Sequence, residues 1–321
     1  MKTASELTDF YYKTLYPTLN KLEKDRKQLK HRIFIVGIIY TLTIFLVIVS
    51  LKNIFFQNLD ALIFIAIAYV GIGAFIYRML IKDYTSEFKE KIIKPLISEL
   101  DSNLNYTSKQ HVPQHLFENA KLFTSEIDRL NGNDFVNGEI DEVKIQFSDI
   151  HAEKRTKSAD DKESWSTIFK GLFIVAEFNK HFNAHTVILP DSAQSNFGDL
   201  IGSWLQSNNS NRDELVKMDS PEFEKEFVVY SSDQIEARYI LSHSLMKRLL
   251  SFKNKSKHPV YISFVGESIH MAIEYNKDLF EPSVFRSLLE YKIAMEYVQT
   301  LHLAIGIIDE LKLNEKLWSK Q

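Results

Sequence analysis

The sequence predicts an α+β protein in two parts. The first is an N-terminal two-span transmembrane helical hairpin with flanking amphipathic helices. The second is a cytosolic α+β domain with a mostly antiparallel sheet and a long C-terminal helix. Two uncharged apolar runs, residues 33–51 and 61–77, lie nine residues apart. Apolar stripes with helical spacing flank both runs, and groups of alternating apolar residues follow later in the chain. Because these later strands and helices are grouped rather than alternating, the pattern favours an antiparallel sheet.

Both apolar runs are long enough to cross a bilayer. As a helix, residues 33–51 would be about 28 Å long, close to the ~30 Å hydrocarbon core. The second run extends to residue 81 if the Arg78 side chain reaches back toward the head groups, which gives spans at 33–51 and 60–81. Two neighbouring uncharged runs disfavour buried core helices, and a second span directly after the first disfavours a cleaved signal peptide.

The basic residues around the spans predict the orientation, because Lys and Arg are retained on the cytoplasmic side. The flanks contain Lys21, Lys24, Arg26, Lys27, Lys30 and Arg32 before the first span, and Arg78, Lys82, Lys89, Lys91 and Lys94 after the second. The connecting loop has Lys52 alone. We therefore expect a multi-pass membrane protein, with both termini cytoplasmic and the lipid bilayer as its first partner. The same basic residues attract anionic lipid, although we interpret them as topology signals first.

Composition excludes several classes of function. The net charge of −3 over 321 residues leaves no basic excess for nucleic acid. The absence of cysteine removes disulfides, thiol nucleophiles and Cys-ligated zinc, which fits a reducing compartment. Neither G-x-x-x-x-G-K nor G-x-G-x-x-G occurs, so no Gly-rich phosphate loop is predicted. We expect no cofactor and no metal.

Amphipathic helices are predicted on both sides of the hairpin. Their apolar stripes are Leu7, Tyr11, Leu15, Leu19, Leu22 and Leu29 before the first span, and Phe88, Ile92, Leu96, Leu100 and Leu104 after the second. The stripes can pair as an antiparallel stalk, or each can pack on the globular domain or on another subunit of a homo-oligomer. Pro17 and Pro95 must each lie in a first turn or kink their helix.

Small residues in the second span follow one helical face. They are Ala61, Ala68, Gly71 and Ala74. This face either contacts the first span or reflects the ordinary abundance of small residues in membrane helices.

A polar stretch that ends at Pro113 separates the stalk from the globular domain. The predicted domains are an N-terminal amphipathic helix (1–32), the transmembrane hairpin (33–81), a juxtamembrane helix and linker (82–113) and the cytosolic α+β domain (114–321). In the last domain, helices are predicted over 114–130, 234–252 and 283–311, with Asp233 and Glu236 as a capping box. Strands are predicted at 143–151, 167–178, 185–189 and 227–230, and a hairpin joins 259–265 to 269–275 around Gly266.

Three segments of this domain resemble a known family. They are residues 169–180 (FKGLFIVAEFNK), 187–191 (VILPD) and 220–238, which starts SPEFEKEF. The chain resembles the bacterial membrane-protein family catalogued as domain of unknown function thirty-one thirty-seven, and the likeness includes the double span. The resemblance implies the bacterial cytoplasmic (inner) membrane as the location, and it implies no activity and no catalytic residue. It implies a LemA-type membrane protein as a partner, by family association only.

No catalytic constellation is visible in the sequence. The pairs His111 and His115, and His181 and His185, have the i, i+4 spacing of two metal ligands, but neither pair falls on a predicted helix, so we interpret them as surface histidines. No H-E-x-x-H or G-x-S-x-G motif occurs. The scattered polar residues that the fold could bring together are Glu177, Asp191, Asp233, Glu236 and Arg238. A deep pocket at Glu177, Asp191 or Arg238 would favour an enzyme or a small-ligand-binding protein.

The long insertion between Asp191 and Asp219 is the strongest candidate for partner binding. Apolar residues with helical spacing occur in its middle at Phe197, Leu200, Ile201, Trp204 and Leu205. This amphipathic helix either closes the core or exposes Phe197, Ile201, Trp204 and Leu205 to a partner. We interpret the protein as a membrane-anchored cytosolic interaction or scaffold module rather than an enzyme, and two spans without an intramembrane charge make a transporter a weak alternative.

Overall fold

The computed structural model of this chain describes residues 2–50, 59–157, 163–191, 213–275 and 277–313. The chain forms two compact units. The sheet unit contains Met1–Ala4, Ile97–Phe280 and Tyr297–Gln321. The helical unit contains Ser5–Leu96 and Glu281–Glu296. The four domain boundaries given above stay predictions.

The N-terminal part of the chain is helical. Its elements are α1 (Ala4–Lys13), α2 (Tyr16–Ser50), α3 (Leu59–Phe88), a π-helical turn (Lys89–Ile93) and α4 (Lys94–Leu100). Pro17 lies in the first turn of α2, where a missing N–H costs no hydrogen bond, whereas Pro95 follows directly after the π-helical turn, in a helical run that continues without a break from α3 into α4. The predicted apolar stripes are buried from Leu7 to Leu29 and from Phe88 to Leu104. Within the helical unit, α2 contacts α3 and the π turn, as in the predicted stalk.

The remaining elements confirm the α+β class. They are β1 (Asn105–Thr107), α5 (Gln114–Asn119), β2 (Arg129–Ile140), β3 (Val143–Lys157), β4 (Glu163–Pro190), β5 (Glu214–Val216), α6 (Pro221–Glu224), β6 (Phe227–Ser231), α7 (Gln234–Ile240), α8 (His243–Ser256), β7 (Val260–Glu274), α9 (Tyr291–Ile305) and α10 (Ile307–Leu311). Every strand pair in the described residues is antiparallel. The strand order is β1-β2-β3-β4-β6-β5, with β7 also paired to β4.

Strand β4 is the centre of the sheet. Its first half pairs with β3 on one edge and β7 on the other, because Leu172 is opposite both Asp149 and Ile273. Its last residues pair with β6 and β7, because Ile188 is opposite both Val229 and Ile262. Strands β3 and β6 therefore follow one another along the same edge of β4. Apolar residues fill both of its faces, as in a strand buried on two sides.

Aromatic rings form the centre of the sheet-unit core. Phe117 of α5 packs against Phe123, Phe169 and Phe173 with ring centroids 4.9–5.9 Å apart, and Phe123 contacts Tyr261 at 5.5 Å. Offset and tilted ring pairs at these distances add to the free energy of burial. The core thus joins α5 to strands β4 and β7.

The predicted helix over 114–130 is wrong beyond its first turns. Helix α5 ends at Asn119, and β2 begins at Arg129. The segment predicted to end the helix is inside β2, where Gly132 approaches β3 so closely that a Cβ would lie 2.3 Å from the Asp149 carbonyl oxygen. Pairing with β3 outweighs the local helical spacing: Leu130 lies opposite Ala152, and Gly132 lies opposite Ile150.

The predicted hairpin at Gly266 is also wrong, because β7 is one strand from Val260 to Glu274. The separately predicted strands 167–178 and 185–189 are likewise one strand, β4. Gly266 has φ +61° and lies opposite Phe182, between two shifts in the β4–β7 register. The turn signal therefore marks an irregularity inside a continuous strand pair.

Two predicted helices are interrupted. The helix predicted over 234–252 breaks at Leu241 and Ser242, and Ser242 caps the second piece, α8. Asp233 caps α7, as predicted, by accepting from the N–H groups of Ile235 and Glu236. The Glu236 carboxylate does not close the capping box, because it accepts instead from the N–H groups of residues 183 and 184 at 3.2 and 2.7 Å.

The C-terminal helix begins at Tyr291 rather than near residue 283, and it breaks at Gly306. Residues 281–290, here called the return segment, form turns. Ser287 and Glu290 form a capping box before α9, since Glu290 accepts from the Ser287 N–H at 3.2 Å and Ser287 Oγ accepts from the Leu289 N–H at 3.3 Å.

Some predictions fall outside the described residues. These are the connecting loop with Lys52 and the insertion residues Phe197, Leu200, Ile201, Trp204 and Leu205.

Candidate functional site

Two helices of the helical unit expose their apolar side chains. Both α2 and α3 contain a window long and apolar enough to cross a membrane, and neither window is buried. Phe34, Phe45, Phe64 and Phe75 are each more than 60% exposed. A monomeric soluble protein rarely exposes contiguous apolar surface on this scale.

The two helices meet along one aromatic seam. The rings of Tyr40 and Tyr69 stack with centroids 4.5 Å apart, and Tyr40 Oη donates to the Tyr69 carbonyl at 2.7 Å. A Cβ on Gly73 would lie 3.3 Å from the Tyr40 ring. Ala68, Gly71 and Ala74 are exposed and the seam lies on another face of α3, which favours the second of the two interpretations given above, an ordinary abundance of small residues. Tyr40 needs a small residue opposite it, and Gly73 supplies that residue.

Beside this exposed surface, α2 carries a buried ion pair. The Arg26 guanidinium donates to both Glu23 carboxylate oxygens at 2.7 and 2.8 Å, and the two side chains are only 7% and 6% exposed. Two planar groups joined by two parallel hydrogen bonds form a strong, directional pair. Such a pair is stable when buried only if its remaining polar atoms are also satisfied.

The return segment supplies those remaining partners. Arg26 Nη1 donates to the Val284 carbonyl at 2.6 Å, and Glu23 accepts from the Leu288 N–H at 3.1 Å. Tyr11 Oη donates to the Leu288 carbonyl at 3.1 Å, and Lys89 pairs with Glu281 at 2.6 Å. We call the Glu23–Arg26 pair with these contacts the clamp. It holds a stretch without regular secondary structure against the helices by side-chain hydrogen bonds.

Electrostatics support the charged form of the clamp. Burial acts to raise the pKa of Glu23, but hydrogen bonds from Arg26 and from the Leu288 N–H outweigh it and hold that pKa below its ordinary value. The hydrogen bond to Glu23 raises the pKa of Arg26 against the opposing effect of burial. Burial raises the pKa of the nearby Tyr84 hydroxyl, which has no hydrogen-bond partner among the described residues. The pair is therefore ionised at neutral pH.

An open groove begins directly beside the clamp, because Lys27 follows Arg26 and Phe285 follows Val284. Its volume is about 640 Å³, and its lining residues are Lys27, Lys30, His31, Ile33, Phe34, Gly37, Ile38, Thr41 and Phe285. All of them except Phe285 are on α2, and Phe285 is in the return segment. Three basic or imidazole side chains line one end of the groove, and apolar side chains line the rest. The groove is thus amphipathic along its length.

The sheet unit has a smaller polar depression of about 370 Å³ around His185. His185 Nε2 pairs with Asp213, while Nδ1 lies 3.4 Å from Lys121 Nζ and 3.5 Å from Ser232 Oγ. Burial lowers the pKa of His185, Asp213 raises it and Lys121 lowers it further. His185 thus lies between an acidic partner on one ring nitrogen and a lysine and a serine hydroxyl on the other.

The polar residues singled out in the sequence are not brought together. Glu177 borders an open groove of about 530 Å³, but it pairs with the exposed Lys144 at 3.1 Å. Arg238 is exposed and donates to the Lys217 carbonyl at 3.4 Å, while Asp233 and Glu236 bind backbone N–H groups. Asp191 contributes a backbone N–H to the Glu226 carbonyl. These contacts have no partner in common.

The histidine pairs give no metal centre in the described part of the chain. No group of three or more His, Asp or Glu side chains there is arranged to hold a metal ion. His181 lies 3.8 Å from Glu267, and His111 contacts the Val112 carbonyl. The candidate partner-binding residues Phe197, Ile201, Trp204 and Leu205 lie outside the described residues.

The clamp was not predicted, although the sequence contains a signal for it. Leu19, Leu22 and Leu29 follow a three-four spacing, and Arg26 occupies the position that this spacing assigns to a fourth apolar residue. A charged residue in a buried stripe requires a partner, and Glu23 is three residues away on the same face. The remote partners, Val284 and Leu288, have no such signal.

One family model matches part of the chain. No match was found among curated proteins. Among solved structures, the chain is similar to the crystal structure of the mycobacterial trehalose monomycolate transport factor A, TtfA, with a TM-score of 0.33 and 9% identity, over 65% of this chain and 88% of that chain. A likeness at this TM-score supports no inference. Residues 167–313 match the model of the family described as Protein of unknown function (DUF3137), which confirms the resemblance seen in the sequence over that range.

Proposed function

We propose that this protein is a membrane-anchored interaction or scaffold module, with a two-helix hairpin in the bacterial cytoplasmic membrane and the sheet unit in the cytoplasm. The observation that carries the proposal is the exposed apolar surface of α2 and α3. Exposing these side chains to water would cost free energy in proportion to their area, whereas a lipid environment removes that cost. The basic residues at both flanks support cytoplasmic termini.

Integration and orientation are measurable separately. The full chain, expressed in a bacterial host, should stay in the membrane pellet after extraction with alkaline carbonate. Because the chain has no cysteine, Gln57→Cys and Lys109→Cys each introduce one unique thiol. We expect a membrane-impermeant maleimide to label intact cells at position 57 only, and to label position 109 only after lysis.

Two results would contradict this proposal in different ways. Release of the chain by carbonate would show that the two helices do not anchor it in the membrane. Labelling of position 109 in intact cells would be compatible with the anchor but would contradict the proposed orientation.

The partner surface is proposed on the insertion residues Phe197, Ile201, Trp204 and Leu205, with a LemA-type membrane protein or a second copy as the partner class. Purification of the full chain in mild detergent, with wild type and Trp204→Ala compared, tests it. We expect Trp204→Ala to lose the co-purified partner, while Trp165→Ala, which removes an exposed tryptophan of the sheet unit, retains it. Equal recovery with both variants would exclude this surface.

A further inference from the structure

The groove on α2 has the length and polarity of one leaflet of a bilayer. Lys27, Lys30, His31, Phe34, Ile38 and Thr41 recur every three or four residues, so they share one helical face. From Lys30 to Thr41 the helix rises about 16 Å, close to half of the ~30 Å hydrocarbon core. A ligand that fills the groove therefore needs a charged end and an apolar tail of about this length.

The charge at one end of the groove is available to an anion. Lys27 and Lys30 are exposed, and neither has an ion-pair partner among the described residues. The lysines that flank the second span differ, because Lys91 pairs with Glu87 and Lys94 pairs with Glu90. A phosphate group would find two unpaired ammonium groups and the His31 imidazole at the same end of the groove.

The apolar part of the groove has room for an acyl chain. A Cβ added to Gly37 would meet no atom within 4 Å, so the wall of the groove is open at this position. Ile33, Phe34 and Ile38 line the groove beside Gly37. Phe285 adds an aromatic side chain from the return segment, which the clamp holds in place through Arg26 and Val284. Water in such an apolar groove would lack polar partners.

We propose that this groove binds one anionic phospholipid, with the headgroup phosphate at Lys27, Lys30 and His31 and an acyl chain along Phe34, Gly37 and Ile38. The inference rests on the proposed membrane anchoring and adds a specific lipid site to it. Unpaired lysines beside an apolar groove favour an anionic lipid over a zwitterionic one, since the latter carries its own cation next to the phosphate.

Lipid binding to the full chain tests the site. The protein is purified in detergent and titrated with palmitoyl-oleoyl phosphatidylglycerol or with the matching phosphatidylcholine, and native mass spectrometry counts bound lipid. We expect the first phosphatidylglycerol to bind about tenfold more tightly than phosphatidylcholine. Lys27→Gln with Lys30→Gln should abolish this preference, and Gly37→Leu should weaken the binding of both lipids by filling the groove.

Matched variants control for charge and bulk. Lys91→Gln with Lys94→Gln removes two lysines from the other flank, and Gly71→Leu adds the same side chain at another open glycine. Both controls should bind phosphatidylglycerol as the wild type does. Equal loss in the controls, an unchanged preference in the groove variants, or a dimer mass that replaces the lipid adduct would each overturn the proposal.

Carbonate extraction of the same variants separates this inference from the proposed function. If the wild type stays in the membrane but shows no preference for phosphatidylglycerol, the proposed lipid site is contradicted and the proposed membrane anchor is not. If carbonate releases the wild type, both proposals are contradicted.

Discussion

The helical unit and the sheet unit place apolar and charged side chains in opposite environments. In the helical unit, Phe34 and Phe45 are exposed while Glu23 and Arg26 are buried. In the sheet unit, rings such as Phe173 are fully buried, and ion pairs such as Lys144–Glu177 are exposed. The exposed surface of α2 and α3 is therefore largely apolar, whereas exposed ion pairs occur on the sheet unit.

The difference also concerns what holds a segment in place. Strand β4 is fixed by backbone pairing along both edges and by apolar packing. The return segment has no strand partner and is fixed by side-chain hydrogen bonds to one ion pair. Sheet pairing spreads stability over many residues, whereas the clamp concentrates it on Glu23 and Arg26, so single substitutions should affect the two units very differently.

Phenylalanine truncation should give the largest contrast between the units. We expect Phe173→Ala to lower the free energy of unfolding by about 3–5 kcal/mol, because it leaves a cavity in the core around α5. Phe45→Ala should lower it by less than about 1 kcal/mol in detergent micelles, where burial against other helices contributes little. Urea unfolding of the full chain, followed by hydrogen exchange in β4 and α2, measures both. Equal effects would contradict the comparison.

Removal of Arg26 should cost nearly as much. Arg26→Ala leaves the Glu23 carboxylate buried without its partner, and loss of one member of a buried pair costs about 3–5 kcal/mol. We expect faster hydrogen exchange at residues 281–290 in particular. Lys24→Ala is the control, because Lys24 is exposed on the same helix.

Replacement of both partners sharpens this result. Glu23→Gln with Arg26→Met removes the uncompensated charge, so it should restore part of the stability lost in Arg26→Ala. If the double variant is less stable than Arg26→Ala, the pair does not act through the burial of charge.

Acid should destabilise the sheet unit through His270. Burial lowers the pKa of His270 to about 4, and its Nδ1 has no partner in the described part of the chain. The unfolded chain binds a proton near pH 6.5 and the folded chain does not, so stability is complete above pH 6.5 and falls as the pH drops toward about 4. The loss should total about 3 kcal/mol.

Urea unfolding at pH 7.5 and pH 4.5 tests the role of His270. His270→Phe should reduce the difference between the two pH values, whereas His243→Gln, at an exposed position, should leave it unchanged. An undiminished difference in His270→Phe would assign the pH dependence to other groups.

Close backbone approach at glycine should give the smallest effect of the series. A Cβ on Gly171 would lie 2.1 Å from the Ile273 carbonyl oxygen of β7, so Gly171→Ala must separate two strands. We expect a cost of about 1–3 kcal/mol. Gly73→Ala brings a Cβ to 3.3 Å from the Tyr40 ring, which can shift, so its cost should be below about 1 kcal/mol. Thermal unfolding of the full chain compares them, and a larger loss in Gly73→Ala would contradict the expectation.

Local patterns predicted the N-terminal helices better than the elements of the sheet unit, where the predicted helices are shortened or broken and the predicted strand ends are wrong. The stripes from Leu7 to Leu29 and from Phe88 to Leu104 are buried as predicted, because helical hydrogen bonds and side-chain neighbours lie within four residues of each other. Residues 129–134 looked like the end of a helix and pair with β3 instead. The partner of a strand is distant in sequence, so the pattern at Gly266 could not show that β4 would continue beside it.

Part of the candidate site could be predicted from the sequence, and part of it could not. The basic flank, the apolar face of α2 and the misplaced charge of Arg26 can all be read from consecutive turns of one helix. Phe285, Val284 and Leu288 could not be assigned to this site, because their helical spacing placed them in the C-terminal helix. Hydrogen bonds to Glu23 and Arg26, more than 250 residues away in the chain, hold them in turns instead.

By itself, the sequence determined the two apolar helices, their flanking stripes, the first-turn position of Pro17 and the α+β class, because each depends on residue type and short spacing. Tertiary structure alone decided that β4 and β7 are single strands, that the return segment belongs to the helical unit, and that Glu23 and Arg26 bind it. The physical reason is that strand pairing and buried charge depend on partners that meet only after folding, and the free energy of those contacts exceeds the local preferences that a sequence displays.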